Sequence, residues 1–131
     1  MRNKINWITL FLIMISVSCI DAQSLTICKS VDKEGHGVNA SQEFTVAKNG
    51  GNVTFLVQFT ATNKPASVSF DIYKLDKGKE IFSSTIKQNT EPSKNWLSKE
   101  ITLYEAGSYR VYLYDDKDNL ITKSNFTVKT L

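Results

Sequence analysis

The segment from Gly107 to Tyr114 constrains the fold of this chain more than any other stretch. Its side chains alternate strictly in character, and successive side chains on a β-strand point to opposite faces. One set suits a dry interior and consists of Tyr109, Val111 and Leu113. The other set carries polar or charged tips and consists of Arg110, Tyr112 and Tyr114. The segment therefore predicts a strand with one buried face and one exposed face.

A sharp corner precedes this strand at Ala106-Gly107. Glycine accepts backbone angles that other residues avoid, and a tyrosine just after such a corner can bury its ring while its hydroxyl bonds nearby backbone. The pattern Leu103-x-x-Ala-Gly-x-Tyr-x-Val111 resembles the tyrosine corner of immunoglobulin-like and fibronectin type III-like sandwiches. Val111 stands where antibody domains carry their second core cysteine. The resemblance implies a fold, and it implies no particular activity.

Turn signals recur along the rest of the chain, as at Asn49-Gly50, Pro65 and Asp76-Lys-Gly-Lys79. Between them the sequence predicts short strands, and a polar loop over 32–39 and another over 88–94. No segment has sustained helical periodicity. A parallel sheet would need helical crossover connections between its strands. The fold class is therefore all-β, an antiparallel two-sheet sandwich of immunoglobulin-like type with seven or eight strands. The predicted strands cover residues 25–31, 43–47, 53–59, 68–73, 80–87, 97–103, 109–114 and 120–128.

Period-two alternation also predicts which side chains form the core. Burying each of them is worth about 1.5–3 kcal/mol before the entropy of ordering the chain is subtracted. The predicted inward set is Val53, Phe55, Val57, Phe59, Val68, Phe70, Ile72, Ile101, Leu103, Tyr109, Val111, Leu113, Phe126 and Val128.

The N-terminus has the pattern of a secretory signal peptide. Arg2 and Lys4 precede a hydrophobic run from Ile5 to Ile20, which is shorter than the roughly 20 residues that span a bilayer as a helix. Cleavage after Ala22 would leave residues 23–131 as one immunoglobulin-like domain in an extracytoplasmic location: periplasmic, extracellular or at the cell surface. A bacterial lipoprotein signal, with lipid on Cys19, is the alternative, and it is the only membrane attachment that we expect.

The charge of the chain limits its expected partners, and its cysteine content limits the role of Cys28. The net charge of the chain is +3, and the basic residues are dispersed along the sequence. Nucleic acid is therefore not expected as a partner. After cleavage at Ala22, Cys28 is the only cysteine left. Cys28 is therefore predicted to pack as a small apolar residue, the alternatives being a reactive thiol or an intermolecular link.

Motifs for catalysis are missing from the sequence. The single histidine, His36, stands in a glycine-flanked loop and is predicted to be a surface residue. There is no Gly-x-Ser-x-Gly, no Cys-x-x-Cys and no phosphate-binding glycine loop. We therefore expect that the protein is not an enzyme and that it has no cofactor and no metal site.

Two further features have competing interpretations. The acidic run from Asp115 to Asn119 supplies oxygen ligands of the kind calcium prefers, but a hairpin turn stabilised by Asp and Asn side chains is the favoured interpretation. Three segments match the glycosylation acceptor pattern, a number close to chance expectation. They begin at Asn39, Asn52 and Asn125.

The candidate binding surface consists of Tyr73, Arg110, Tyr112 and Tyr114. If the strand of Tyr73 neighbours that of Arg110, as in immunoglobulin-like domains, these side chains share one outer face. Tyrosine and arginine are enriched in binding surfaces, and aromatic rows can also stack on sugar rings. The alternative is structural, since cross-strand aromatic pairs stabilise sheets without any ligand.

From these features we predict a secreted or surface-attached, non-catalytic binding or adhesion module. Its ligand would be a protein or a carbohydrate. A structural or assembly subunit that pairs through an exposed edge strand is the first alternative. An immunoglobulin-like protease inhibitor is less favoured, because Asn63-Lys-Pro-Ala66 does not match the loop motifs of such inhibitors.

Overall fold

The structure is a computed structural model that describes residues 24–59 and 64–131. The predicted signal peptide, residues 1–22, and the lipidation candidate Cys19 lie outside the described residues. So does Asn63, the first residue of the segment Asn63-Lys-Pro-Ala66.

The described residues form ten β-strands and no helix. Accordingly, that part of the chain contains no helix with the length and apolar character needed to cross a membrane. The strands are β1 (Ser24–Cys28), β2 (Ser30–Val31), β3 (Gly37–Val38), β4 (Glu43–Val46), β5 (Gly51–Gln58), β6 (Ser67–Asp76), β7 (Lys79–Asn89), β8 (Trp96–Leu103), β9 (Gly107–Tyr114) and β10 (Leu120–Thr130).

Eight of these strands form two facing sheets, and the chain is an immunoglobulin-like β-sandwich. One sheet has three strands in the order β1-β5-β8, and the other has five in the order β4-β10-β9-β6-β7. The remaining strands, β2 and β3, pair as a small separate hairpin. The predicted sandwich is confirmed, with one correction. Strand β4 pairs with β10 in parallel, because the chain leaves the first sheet after β1 and joins the far edge of the second.

The core lies between the two sheets, and all fourteen side chains predicted to be inward are buried. Phe55 on β5 stands at its centre, with its ring centroid 5.2 Å from that of Phe70 and 5.9 Å from that of Phe126. These contacts join the two sheets directly. Alternation along single strands therefore identified most of the core between the sheets, but it missed four side chains of the same cluster: Ile27, Phe44, Val46 and Leu97.

A second buried layer covers the outer face of the three-stranded sheet, and the sequence pattern missed it. Leu56 and Cys28 point away from the main core yet are buried, because the β2–β3 hairpin lies over them. The loop predicted at 32–39 thus contains strand β3 and the turn that leads into it. At that turn Gly35 packs directly against the indole of Trp96.

The tyrosine corner predicted at Tyr109 is present. The Tyr109 hydroxyl donates a 2.7 Å hydrogen bond to the carbonyl of Glu105. Its ring stacks on Phe126 with centroids 5.4 Å apart and planes 13° from parallel. Gly107 begins β9 with a φ of 151°, and a Cβ there would come 3.0 Å from Lys74 Cε. The backbone angle favours glycine at this corner, whereas the flexible end of Lys74 can move away from a Cβ.

Strand β7 is longer than the predicted segment 80–87, and its weak pattern has a structural reason. It is the edge strand of the five-stranded sheet. Ile72 lies opposite Ser84 while Tyr73 lies opposite Phe82, so Ser83 is the extra residue of a β-bulge. The bulge shifts the alternation halfway along the strand, and an edge position leaves most of its side chains exposed.

Candidate binding surface

The structure brings the four candidate residues together on the outer face of the five-stranded sheet, the face away from the core. Strand β6 lies beside β9, with Tyr73 opposite Arg110 and Asp71 opposite Tyr112. Because Val111 and Leu113 are fully buried, the intervening residues Arg110, Tyr112 and Tyr114 project outward. The neighbouring strands expected from the immunoglobulin-like resemblance are therefore observed.

Phe82 on β7 extends this group to a third strand, although the sequence pattern gave no indication of it. Its ring lies 5.7 Å from that of Tyr73, at an interplanar angle of 72°. Its side chain is 57% exposed although it is large and apolar. We refer to the four rings, Phe82, Tyr73, Tyr112 and Tyr114, as the outer aromatic row.

The rings of the outer aromatic row do not form one flat platform. Tyr73 and Tyr112 meet at 87° with centroids 5.4 Å apart, an edge-to-face contact. Only Tyr112 and Tyr114 approach a stacked arrangement, at 6.5 Å and 30°. Edge-to-face pairs are a favourable geometry for aromatic side chains, so this row also stabilises the sheet.

Glu80 fixes the polar tips at the centre of the face. The Tyr112 hydroxyl donates to the Glu80 carboxylate, whose oxygens lie 2.6 and 2.8 Å away. Arg110 donates from its Nη1 to the same carboxylate at 3.1 Å and from its Nε to Asn125 Oδ1 at 2.9 Å. The Tyr112 hydroxyl and then the Arg110 guanidinium lower the pKa of Glu80 from its ordinary value of 4.5. The arrangement holds both side chains in place before any ligand arrives.

A shallow concavity of about 280 Å³ lies at the Tyr114 end of the row. Its two carboxylates come from Asp71 on β6 and from Asp118 in the β9–β10 turn. Ser69 and Thr85 supply hydroxyl groups, and Tyr114 supplies a ring. We refer to this as the acidic concavity.

Basic residues stand near the face as well. Lys87 lies opposite Ser69 in the β6–β7 register, and Lys123 lies opposite Tyr112 in the β9–β10 register. Neither residue lines the acidic concavity. Across the whole face the charges are therefore mixed, and the negative charge is concentrated at the Tyr114 end.

The run from Asp115 to Asn119 forms a turn whose side chains bond local backbone. Asp115 Oδ1 accepts hydrogen bonds from the amides of Lys117 and Asn119, both at 2.9 Å. The Asn119 amide and then that of Lys117 lower the pKa of Asp115. This is the hairpin turn that the sequence favoured over a calcium site.

His36 is exposed, as predicted, but it has partners that the sequence did not indicate. Its Nδ1 lies 3.2 Å from Asp32 Oδ2 and 3.7 Å from Glu34 Oε2. The tight turn between β2 and β3 brings these three side chains together. Asp32 Oδ1 accepts from the backbone amides of Glu34 and His36, so the cluster stabilises the turn.

Cys28 is fully buried beneath the β2–β3 hairpin, in agreement with its predicted packing role. Its Sγ lies 3.5 Å from the Thr54 carbonyl, and burial raises the pKa of its thiol. The asparagines of the three acceptor segments, Asn39, Asn52 and Asn125, are all exposed.

The missed members of this surface, Phe82 and Glu80, share a cause. Both lie on the bulged edge strand, where alternation does not identify a face. A phenylalanine two residues after a glutamate is a weak signal in a sequence. It becomes informative only when β7 is placed beside β6.

Comparison with known proteins leaves the family open. No protein-family model matches the sequence, and no curated protein matches it. Among solved structures, the CARDB domain of a Pyrococcus furiosus protein in complex with di-metal ions has a TM-score of 0.49 at 11% identity, covering 83% of this chain and 89% of that one. A superoxide reductase (neelaredoxin) variant from Ignicoccus hospitalis scores 0.47 at 11% identity, covering 88% and 86%. A Niemann-Pick type C2 protein from the Japanese carpenter ant scores 0.44 at 11% identity, covering 82% and 89%.

Proposed function

We propose that this chain is a secreted or surface-attached, non-catalytic binding module that contacts a protein ligand through the outer face of its five-stranded sheet. The single observation that carries the proposal is the exposed Phe82 beside Tyr73, at the end of a row of rings that crosses three strands. A large apolar side chain that is 57% exposed contributes little to the core. Contact with a partner would bury the Phe82 side chain, which is exposed in the isolated domain.

The ring geometry favours a protein ligand over a carbohydrate. A sugar ring stacks best on a flat aromatic surface, whereas Tyr73 stands nearly perpendicular to Tyr112. Side chains of a protein partner can fit between tilted rings. The fixed Arg110 and Tyr112 add polar contacts at low entropic cost, because Glu80 already holds them.

Assembly through the edge strand β7 has less support. Strand β7 is long and exposed, but it carries a bulge at Ser83 and two lysines, Lys79 and Lys87. Bulges and edge lysines are features that discourage strand addition. Pairing through β7 would therefore need a partner that tolerates the bulge.

Variants of the outer face test the proposal. Proteins bound to the mature chain would be captured by cross-linking in its native host, produced separately, and measured with the purified chain by calorimetry. We expect Tyr73→Ala and Phe82→Ala to weaken the binding of a true ligand about tenfold or more, the loss typical of a central interface residue. Tyr104→Ala is the matched control, because Tyr104 is 70% exposed at the end of β8, on the other sheet.

Two results would oppose the proposal. One is retention of every interaction by folded Tyr73→Ala and Phe82→Ala variants. The other is binding to a glycan array with no protein ligand, since that would return the assignment to a carbohydrate-binding module.

The extracytoplasmic location is part of the proposal and has its own test. The positive start and apolar run of residues 1–22 support it. Intact mass of the mature protein from its native host should correspond to a chain that begins at Gln23. A mass that includes lipid on Cys19 would assign surface attachment, and an uncleaved chain would contradict secretion.

A further inference from the structure

We infer that the free edge of β8 accepts an extended segment of another protein as an additional strand, and that this segment places a carboxylate side chain opposite Lys99. The site belongs to the three-stranded sheet, whereas the outer aromatic row belongs to the five-stranded one. The inference therefore goes beyond the proposed function and does not depend on it. It rests on the unpaired backbone of β8, the uncovered inner side of β7 and the position of Lys99.

The backbone of β8 presents a regular row of hydrogen-bonding groups. The strand pairs with β5 over all eight of its residues without a shift of register. The amide of Phe59 donates to the carbonyl of Asn95, and in an antiparallel pair the residues that bond the neighbouring strand recur at every second position. The odd-numbered residues of β8 therefore bond β5. The even-numbered residues point their N–H and C=O groups away from β5, where no backbone group of the described residues bonds them: Trp96, Ser98, Glu100 and Thr102.

The other edges of the two sheets are less open. Strand β7 carries the bulge at Ser83, and β1 and β4 have only five and four residues. Ser41 closes part of both short edges. Its amide donates to the Ile27 carbonyl at 3.1 Å, and its hydroxyl donates to the Glu43 carbonyl and accepts from the Glu43 amide, at 2.9 and 3.0 Å. Strand β8 is therefore the edge best suited to an added strand.

The inner side of β7 lacks a cover that such a strand would supply. On the neighbouring strand β6, the inward side chains Phe70 and Ile72 are buried. On β7, Ile86 lies opposite Phe70 but is only half-buried, and Ile81, opposite the inward Lys74, is 51% exposed. The three-stranded sheet ends at β8, so it does not cover these two side chains. A strand beside β8 would lie over them and bury apolar surface.

Lys99 determines which segment fits. It stands on the inward face of β8 between Leu97 and Ile101, which are buried, and is itself half-buried. It takes part in none of the ion pairs of the described residues. An inward-pointing charge on an edge strand opposes pairing with an apolar strand, whereas an opposite charge directly across stabilises a pair. Lys99 therefore rejects uncharged strands and selects a segment with an acidic residue at that position.

A second copy of this chain fits the edge poorly. The two antiparallel registers that engage most of β8 with its own copy place either Lys99 opposite Lys99 or Glu100 opposite Glu100, and like charges directly opposite are destabilising. The described chain begins with β1, which lies at the other edge of the same sheet. The occupant is therefore a segment of a different protein.

The test uses a heptapeptide with blocked ends, of sequence Thr-Val-Lys-Glu-Thr-Val-Thr, titrated into the mature protein. In antiparallel orientation its glutamate lies opposite Lys99 and its lysine opposite Glu100. We expect saturable amide shifts in NMR, with slowed hydrogen exchange at Ser98, Glu100 and Thr102. A peptide N-methylated at its third and fifth residues loses donors that face β8 and should not bind. Methylation at the fourth and sixth residues, which face away, should leave binding intact.

Two pairs of variants test the side-chain contacts. Replacing the peptide's glutamate by lysine should weaken binding about twofold to tenfold, as expected for a cross-strand charge pair made repulsive. Lys99→Glu should reverse the preference between the two peptides. Ile81→Ser should weaken binding, whereas Leu120→Ser should not, because Leu120 is similarly exposed, at 53%, but lies on β10.

Four results would overturn the inference. Absence of saturable shifts up to millimolar peptide would mean that the β8 edge accepts no strand. Equal binding of the two N-methylated peptides would exclude backbone pairing, and equal binding of the glutamate and lysine peptides would exclude selection by Lys99. Self-association of the protein that protects the same amides would assign the edge to a second copy. None of these results bears on the outer face, whose variants Tyr73→Ala and Phe82→Ala are tested with the captured protein.

Discussion

The hydroxyl of Tyr109 donates a 2.7 Å hydrogen bond to the carbonyl of Glu105, four residues earlier in the chain. This bond ties the start of β9 to the corner that follows β8 and keeps the tyrosine ring against Phe126. It secures the connection between the two sheets at one end, while Arg110 and Tyr112 project from the opposite side of the same strand.

Tyr109→Phe should lower the free energy of unfolding by about 0.5–1.5 kcal/mol, the net value of a typical hydrogen bond. The ring remains, so packing against Phe126 is preserved and the hydroxyl alone is tested. Urea denaturation followed by circular dichroism measures the change. Tyr104→Phe is the matched control, because Tyr104 is highly exposed. An equal loss in both variants would mean that the corner bond contributes nothing specific.

Phe82→Ala should cost less than about 1 kcal/mol of stability, since substitutions at exposed sites have small effects. Phe70→Ala, at a fully buried position on the adjacent strand, should cost about 3–5 kcal/mol. Thermal and urea denaturation of both variants provide the comparison. A cost at Phe82 close to that at Phe70 would show that the outer aromatic row serves the fold rather than a ligand.

Gly35→Ala should be more destabilising than Gly78→Ala, by about 1–3 kcal/mol, the usual cost of overpacking. Both glycines have positive φ, at 85° and 82°, so the backbone strain is matched. A Cβ at Gly35 would overlap the Trp96 indole, whereas a Cβ at Gly78 would meet nothing within 4 Å. Urea denaturation measures the difference, and Trp96 fluorescence should shift only in the Gly35 variant. Equal losses would mean that the β2–β3 hairpin is not packed on Trp96.

The Cys28 thiol should react with Ellman's reagent at pH 8 about 100-fold or more slowly in the folded protein than in denaturant, because reaction requires local opening. Burial beneath the β2–β3 hairpin both blocks access and raises the pKa of the thiol above 9.0, which reduces the reactive thiolate. Peptide mass mapping would assign the labelled cysteine. Rapid labelling of Cys28 in the native state would contradict the packing of the hairpin.

Stability should fall as the pH drops below 4.5, and Glu80 should account for part of the loss. Its hydrogen bond from Tyr112 and its contact with Arg110 lower its pKa from 4.5 in the folded state, so the folded protein holds that proton less tightly than the unfolded chain. Its stabilisation is therefore present above pH 4.5 and is lost as the pH falls through the folded-state pKa.

Urea denaturation at a series of pH values from 7 to 3 measures this effect. Glu80→Gln should be less stable than the wild type at pH 7 and should show a smaller decline on acidification. Glu100→Gln, at an exposed position on β8, is the control. If Glu80→Gln loses as much stability on acidification as the wild type, Glu80 does not contribute to the loss.

The candidate site was predictable only in part, and β7 is the reason. Alternation from Tyr109 to Tyr114 identifies Arg110, Tyr112 and Tyr114 as outward, and the immunoglobulin-like resemblance places Tyr73 beside them. Glu80 and Phe82 complete the surface but lie on an edge strand with a bulge at Ser83. No side chain of β7 is fully buried, and the bulge shifts its alternation, so neither face of the strand has a clear apolar pattern.

The sequence by itself determined the sandwich and most of its main core. A side chain's face on a strand follows from its position alone, and hydrophobic burial then requires the apolar faces to meet. Only the tertiary structure decided what lies over Leu56 and Cys28, how β4 joins β10, and which carboxylates surround Tyr114. Those contacts join residues far apart in the chain, and no local periodicity encodes them.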